Sequence, residues 1–225
     1  MELATPARVS RKAVWGGPMR LLLALPIVML GAGCGELHQQ GTASSYLIVN
    51  SLDAASGAEP NRFSGTLQSD VVTVVAGSPT IFNDFARVRL TMALKDPGGS
   101  ELPTTPTSNN FITIDRYHVR YFRADGRSEP GVDVPYAFDG AFTLTVRGNE
   151  TTGSFTLVRH QAKAEAPLAG LARNRLVIST LAEITFFGHD QTGREVSTLA
   201  RITVDFANFG DPGGGGGGDE DAGGD

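Results

Sequence analysis

The chain has a single cysteine, Cys34, so no intramolecular disulfide can staple it. It also lacks an apolar run of bilayer length. The longest, residues 21–30, is about ten residues and contains Pro26, against roughly twenty for a spanning helix. An excess of basic charge is missing as well: 19 Lys and Arg stand against 24 Asp and Glu, a formal net charge of -5. Beyond residue 33 the balance is 15 basic to 23 acidic residues, five of the acids lying in the last fifteen positions. Such a surface holds no electrostatic lure for nucleic acid. Signatures of chemistry are absent too. The chain contains no Gly-x-Ser-x-Gly elbow, no His-Glu-x-x-His helix and no Gly-Lys-Thr/Ser phosphate loop. Its four histidines, His38, His118, His160 and His189, are scattered without metal-ligand spacing. These absences argue against a cofactor, a metal and an enzyme.

What is present begins with the amino-terminal segment. Arg8, Arg11, Lys12 and Arg20 precede the apolar run, and Gly31, Ala32 and Gly33 lead into Cys34. A basic start, a short apolar stretch and small residues are the three parts of an export signal, with Met1 or Met19 as its start. The run ending Met29-Leu-Gly-Ala-Gly-Cys34 resembles the lipobox of bacterial lipoproteins, departing from it at Gly31, where the pattern prefers Leu. That resemblance implies cleavage between Gly33 and Cys34, a diacylglycerol on the Cys34 sulfur, and an acyl chain such as palmitate on the new amino group. One chain holds a protein at a membrane only marginally, and two or three hold it stably. The implied partner is therefore a lipid bilayer. Gly35 after the cysteine, in place of Asp, implies an outer-membrane address in the cell envelope.

The segments then divide as 1–33 signal, 34–44 tether, 45–210 folded domain and 211–225 a flexible Gly-rich acidic tail with nothing to bury. Within the domain, residues 46–52 and 70–75 are rich in β-branched and aromatic side chains and predict strands. Ala86, Val88, Leu90, Met92 and Leu94 alternate with polar or small neighbours, a half-buried strand. Residues 96–110 read as a long polar loop. In residues 111–122 the apolar phase slips, from Ile112 and Ile114 to Tyr117, Val119 and Tyr121, which predicts a bulge near Asp115. Val132, Val134, Tyr136 and Phe138 predict an edge strand carrying Pro135. Phe142, Leu144 and Val146 predict a hairpin with Phe155, Leu157 and Val158. Residues 160–171 predict one helical turn crossing between sheets, and residues 176–187 and 196–206 a closing hairpin.

Eight or nine strands with few helices predict an all-β, antiparallel sandwich. The closing hairpin, residues 182–196 followed by Ile202-Thr-Val-Asp-Phe206, is similar to the last two strands of bacterial immunoglobulin-like domains, which implies an Ig-like Greek key. Two local features invite a functional reading. Asp190 and Glu195 around Gly193 suit either a calcium loop or a tight turn, and the turn is the commoner use of Asp and Gly. Tyr117, Tyr121, Phe122 and Tyr136 form a sugar-binding face if they point outward and core if they do not. The expectation is a non-enzymatic, membrane-anchored envelope module that binds an envelope protein or carbohydrate, or serves structurally. The alternative is a lipid-anchored or secreted hydrolase on the same scaffold.

Overall fold

The computed structural model describes residues 41–210, so the segments expected to be a signal and a flexible tail, and Cys34, lie outside the described residues. Strands dominate, and all but one short hairpin form two facing sheets. The first sheet has the order β1-β5-β8, from β1 (Ser45–Ala55), β5 (Asp84–Leu94) and β8 (Thr151–Val158). The second has the order β2-β10-β9-β6-β7, from β2 (Thr66–Asp70), β6 (Ile112–Phe122), β7 (Phe138–Val146), β9 (Ile178–Asp190) and β10 (Glu195–Ala207). All pairings within these sheets are antiparallel except that of β2 with β10. This is a β-sandwich.

Alternation sets the faces. Along β5, Ala86, Val88, Leu90 and Met92 are buried, while Arg87, Arg89 and Thr91 stay half-exposed. Along β10, Val196, Thr198, Ala200, Ile202, Val204 and Phe206 point inward. Between the sheets sits an aromatic cluster. Phe186 is fully buried, with ring centroids 5.6 Å from Phe142, 5.3 Å from Phe155 and 6.5 Å from Tyr117. Burying each such side chain is worth about 1.5–3 kcal/mol, and it substitutes here for disulfide support. Tyr117 and Tyr121 carry hydroxyls into this core. Each donates to a β8 carbonyl across the sandwich, Tyr117 to Thr156 at 2.9 Å and Tyr121 to Leu157 at 2.6 Å. Burial pushes both phenols above their ordinary range.

Three local expectations are corrected. Residues 70–75 do not form one strand. β2 ends at Asp70 as its partner β10 ends at Ala207, and the chain turns into a separate hairpin of β3 (Thr73–Val75) and β4 (Ser78–Thr80). Ala76 and Gly77, at φ 49° and 81°, supply the paired left-handed conformations of a tight hairpin turn. The edge strand expected around Val132–Phe138 is absent before Phe138. The amides of Val132, Asp133 and Val134 converge on the Glu129 carbonyl, which curls the chain. Val134 is thus buried while Val132 and Tyr136 are exposed. Finally, β7 and β8 do not pair: β7 joins β6, β8 joins β5, and their phenylalanines Phe142 and Phe155 meet edge to face across the core.

The expected phase slip is present. The β6 register shifts between Ile114 and Arg116 against both neighbours: Asp115 is the extra residue against β9, while against β7 it faces two residues, Phe142 and Thr143. The crossing turn is also present, as α1 (His160–Ala164) followed by a 3-10 turn over Leu168–Arg173.

Candidate functional site

The Asp115 bulge changes what the outer face of the larger sheet displays. Because Asp115 is unpaired, it and Arg116 are both exposed on consecutive positions of β6. Opposite them, β9 must come close. A Cβ on Gly188 would lie 2.2 Å from the Thr113 carbonyl oxygen, so glycine is the residue that fits there. The neighbouring side chains converge over a groove of about 580 Å³, lined by Asp115, Arg116, Phe187, His189, Glu195 and Ser197 among others.

Its chemistry is mixed. His189 Nδ1 lies 3.4 Å from Asp115 Oδ2, and the Arg116 guanidinium covers the Phe187 ring at 3.8 Å from its centroid. Arg116 also reaches Asp139 at 3.9 Å, which His118 contacts at 3.1 Å. Cross-strand pairing sets Glu195 beside His189 and Ser197 beside Phe187. The groove thus offers two carboxylates as acceptors, a guanidinium and an imidazole as donors, and a partly covered ring.

Further along the same face, Glu183 on β9 lies between Arg120 of β6 and Arg201 of β10. Arg120 donates through Nε at 2.7 Å and also through Nη2, and Arg201 donates through Nε at 2.9 Å and Nη2 at 2.7 Å. Burial works to raise the Glu183 carboxyl, but these hydrogen bonds and the two positive charges hold it below the usual carboxylate range. The arginines themselves remain half-exposed.

A second polar cluster is sealed inside the fold. Lys163 of α1 and Asp84 at the start of β5 are both buried, with Nζ 2.7 Å from Asp84 Oδ1 and 2.8 Å from the Asp70 carbonyl oxygen. Ser69 donates to Asp84 Oδ2 at 2.6 Å and the Gly57 amide to Oδ1 at 2.8 Å. Burial pushes the Asp84 carboxyl up, against the pull of Lys163 and the other donors.

The residues singled out from sequence fall as follows. Asp190 Oδ1 accepts from the Thr192 amide at 2.8 Å, the Thr192 hydroxyl at 2.6 Å and the Arg194 amide at 3.0 Å, an Asx-type turn closed with Gly193 at φ 83°. Burial opposes and these bonds outweigh it, so the Asp190 carboxyl sits below its usual range. Among the described residues, no three His, Cys, Asp or Glu side chains are grouped to hold a metal ion. Of the four aromatics considered for sugar binding, Tyr117 and Tyr121 are core, Phe122 lies half-buried beneath Arg120, and only Tyr136 is exposed. Cys34 and Gly33 lie outside the described residues. Sequence reading missed the groove and the Lys163–Asp84 pair. The slip at Asp115 was the one signal for the groove; nothing local announces a pair whose partners are 79 residues apart.

The fold therefore defines an all-β sandwich protein with a polar groove on its larger sheet. Comparison with protein-family models, curated proteins and solved structures gives no match.

Proposed function

We propose that this chain is a lipid-anchored envelope protein whose Ig-like sandwich is a binding module for an envelope carbohydrate. The observation that carries the anchoring is sequence: a lone cysteine directly behind a short apolar run and three small residues. The Ig-like reading is supported by the strand order, with β1-β5-β8 facing β2-β10-β9-β6-β7 and the last strand running parallel to β2. The ligand reading rests on the groove at the bulge. Its interleaved acceptors and donors, Asp115 and Glu195 with Arg116 and His189, match the hydroxyls of a sugar better than a purely charged or apolar ligand.

Two experiments test these readings. Mass spectrometry of the mature amino-terminal peptide is expected to find Cys34 carrying a thioether lipid, and Cys34→Ser to move the protein from the membrane to the soluble fraction. An unmodified terminus overturns the anchor. Titration with solubilised envelope glycan fragments is expected to perturb groove residues by NMR, with the response lost in Arg116→Ala. Unchanged spectra overturn the ligand.

A hydrolase is the second reading, favoured by one observation: the Asp115–His189 pair and Ser197 line the same groove. Among the described hydrogen bonds, Ser197 makes none to His189. A nucleophile and its base need that contact or its formation on substrate binding. Labelling of Ser197 by a fluorophosphonate probe, abolished in His189→Ala, would replace the binding reading with this one.

A further inference from the structure

The Lys163–Asp84 pair is an unusual thing to find buried in a single-cysteine sandwich. Both side chains are removed from water, with side-chain exposures of 1% and 0%. Desolvating two opposite charges is costly, and their mutual attraction gives back less than an apolar pair would. The geometry, however, is that of two reactants. An amine nitrogen is held 2.7 Å from an oxygen of a carboxyl group, in a dry site, by partners that fix both ends. Such fixed neighbours reach effective molarities of about 10⁵–10⁸ M.

We propose that Lys163 and Asp84 condense to a covalent amide, an isopeptide bond joining Nζ to Cγ, formed by the folded protein without a co-reactant. The proton between Nζ and Oδ1 passes to the carboxyl, leaving an amine with a free lone pair beside a neutral acid. Burial favours that neutral form, as the upward push on the Asp84 carboxyl reflects. The lone pair attacks Cγ and the C–N bond forms. Charge developing on Oδ2 is met by the Ser69 hydroxyl, which donates to it at 2.6 Å. Oδ1, which holds the transferred proton and accepts from the Gly57 amide at 2.8 Å, takes one further proton from the nitrogen and leaves as a molecule of water, and Oδ2 remains as the amide oxygen. One carboxylic acid and one amine thus give one amide and one water, with no change in oxidation state.

The product removes two buried charges and expels water from an apolar interior. It also ties α1, which links the two sheets, to the first residue of β5, doing for this chain what a disulfide does elsewhere.

Trypsin digestion of the purified, denatured full-length protein followed by mass spectrometry decides the matter. Acylated Lys163 resists trypsin, so the expected species is residues 63–87 joined to residues 160–173, lighter than the two peptides together by one water. It should account for most of the protein and disappear in Lys163→Arg. Recovery of residues 63–87 and 160–163 mainly as separate peptides overturns the proposal. Should the variant fail to accumulate, fragmentation of the joined wild-type species locates the bond, and a bond at any other pair overturns it equally.

Discussion

Replacing Gly188 by alanine asks whether the bulge that builds the groove is as tightly determined as the backbone implies. The new Cβ would stand 2.2 Å from the Thr113 oxygen and 2.8 Å from Ile114 Cα, both backbone atoms in the paired strand. Since Cβ contacts below 3.0 Å essentially do not occur, β9 and β6 must part by about 0.8 Å at this rung. The pairs Ile114 with Gly188 and Arg116 with Phe187 bear that displacement. Overpacking of this kind costs about 1–3 kcal/mol, and a stretched ladder bond adds about 0.5–1.5 kcal/mol. The sum is about 1.5–4.5 kcal/mol, or about 3–18 °C in Tm for a domain of this size. Thermal unfolding followed by circular dichroism reads the shift. Gly65→Ala is the control, because its Cβ meets nothing within 4 Å, and its Tm should match the wild type. If Gly188→Ala melts within a degree of Gly65→Ala, the close approach of β9 to the bulge is not real and the groove is misdrawn.

Phe186→Ala empties the middle of the aromatic cluster and should cost about 3–5 kcal/mol in urea denaturation; a loss below about 1 kcal/mol would show that Tyr117, Phe142 and Phe155 do not depend on it. Glu183 is expected to contribute acid-sensitive stability. Its carboxyl titrates lower in the folded state, so the contribution is whole above the unfolded value of about 4.3 and is lost as pH falls through the folded one. The stability gap between wild type and Glu183→Gln should accordingly shrink from pH 7 to pH 3, and a constant gap would contradict the two-arginine account. Asp190→Ala removes the acceptor of three hydrogen bonds and should lower stability by about 1–3 kcal/mol. Because Oδ1 of that carboxylate is held by its own turn and, among the described residues, no three acidic or His side chains are grouped to hold an ion, adding calcium or a chelator to the wild type should leave Tm unchanged; a calcium-dependent rise would revive the ion-binding reading.

Much of the architecture was legible because burial writes itself into the chain with a period of two. The alternation of Ala86, Val88, Leu90 and Met92 located β5, and that of Ala200, Ile202, Val204 and Phe206 located β10. Even the bulge at Asp115 was visible, since one extra residue moves every later side chain to the other face. Where the reading failed, alternation was present without a partner. Val132, Val134 and Tyr136 alternate perfectly, yet the Glu129 carbonyl collects three amides and curls the segment instead. Phe142 and Phe155 look like hairpin partners, yet they are neighbours through space across two sheets. Periodicity reports which side chains seek the interior; it carries no information on which strand lies beside which.

The same division holds for the sites. Local pattern alone determined the sandwich class, the inward-facing residues, the Asp190 turn and the candidate lipid site at Cys34, because each depends on residues close together in the chain. Only the tertiary structure decided the strand order, the meeting of Asp115 and Arg116 with Phe187 and His189, and the enclosure of Lys163 with Asp84. Those arrangements join segments dozens of residues apart, and what brings them together is the burial of two whole sheet faces against each other, a property that no single stretch of the chain possesses.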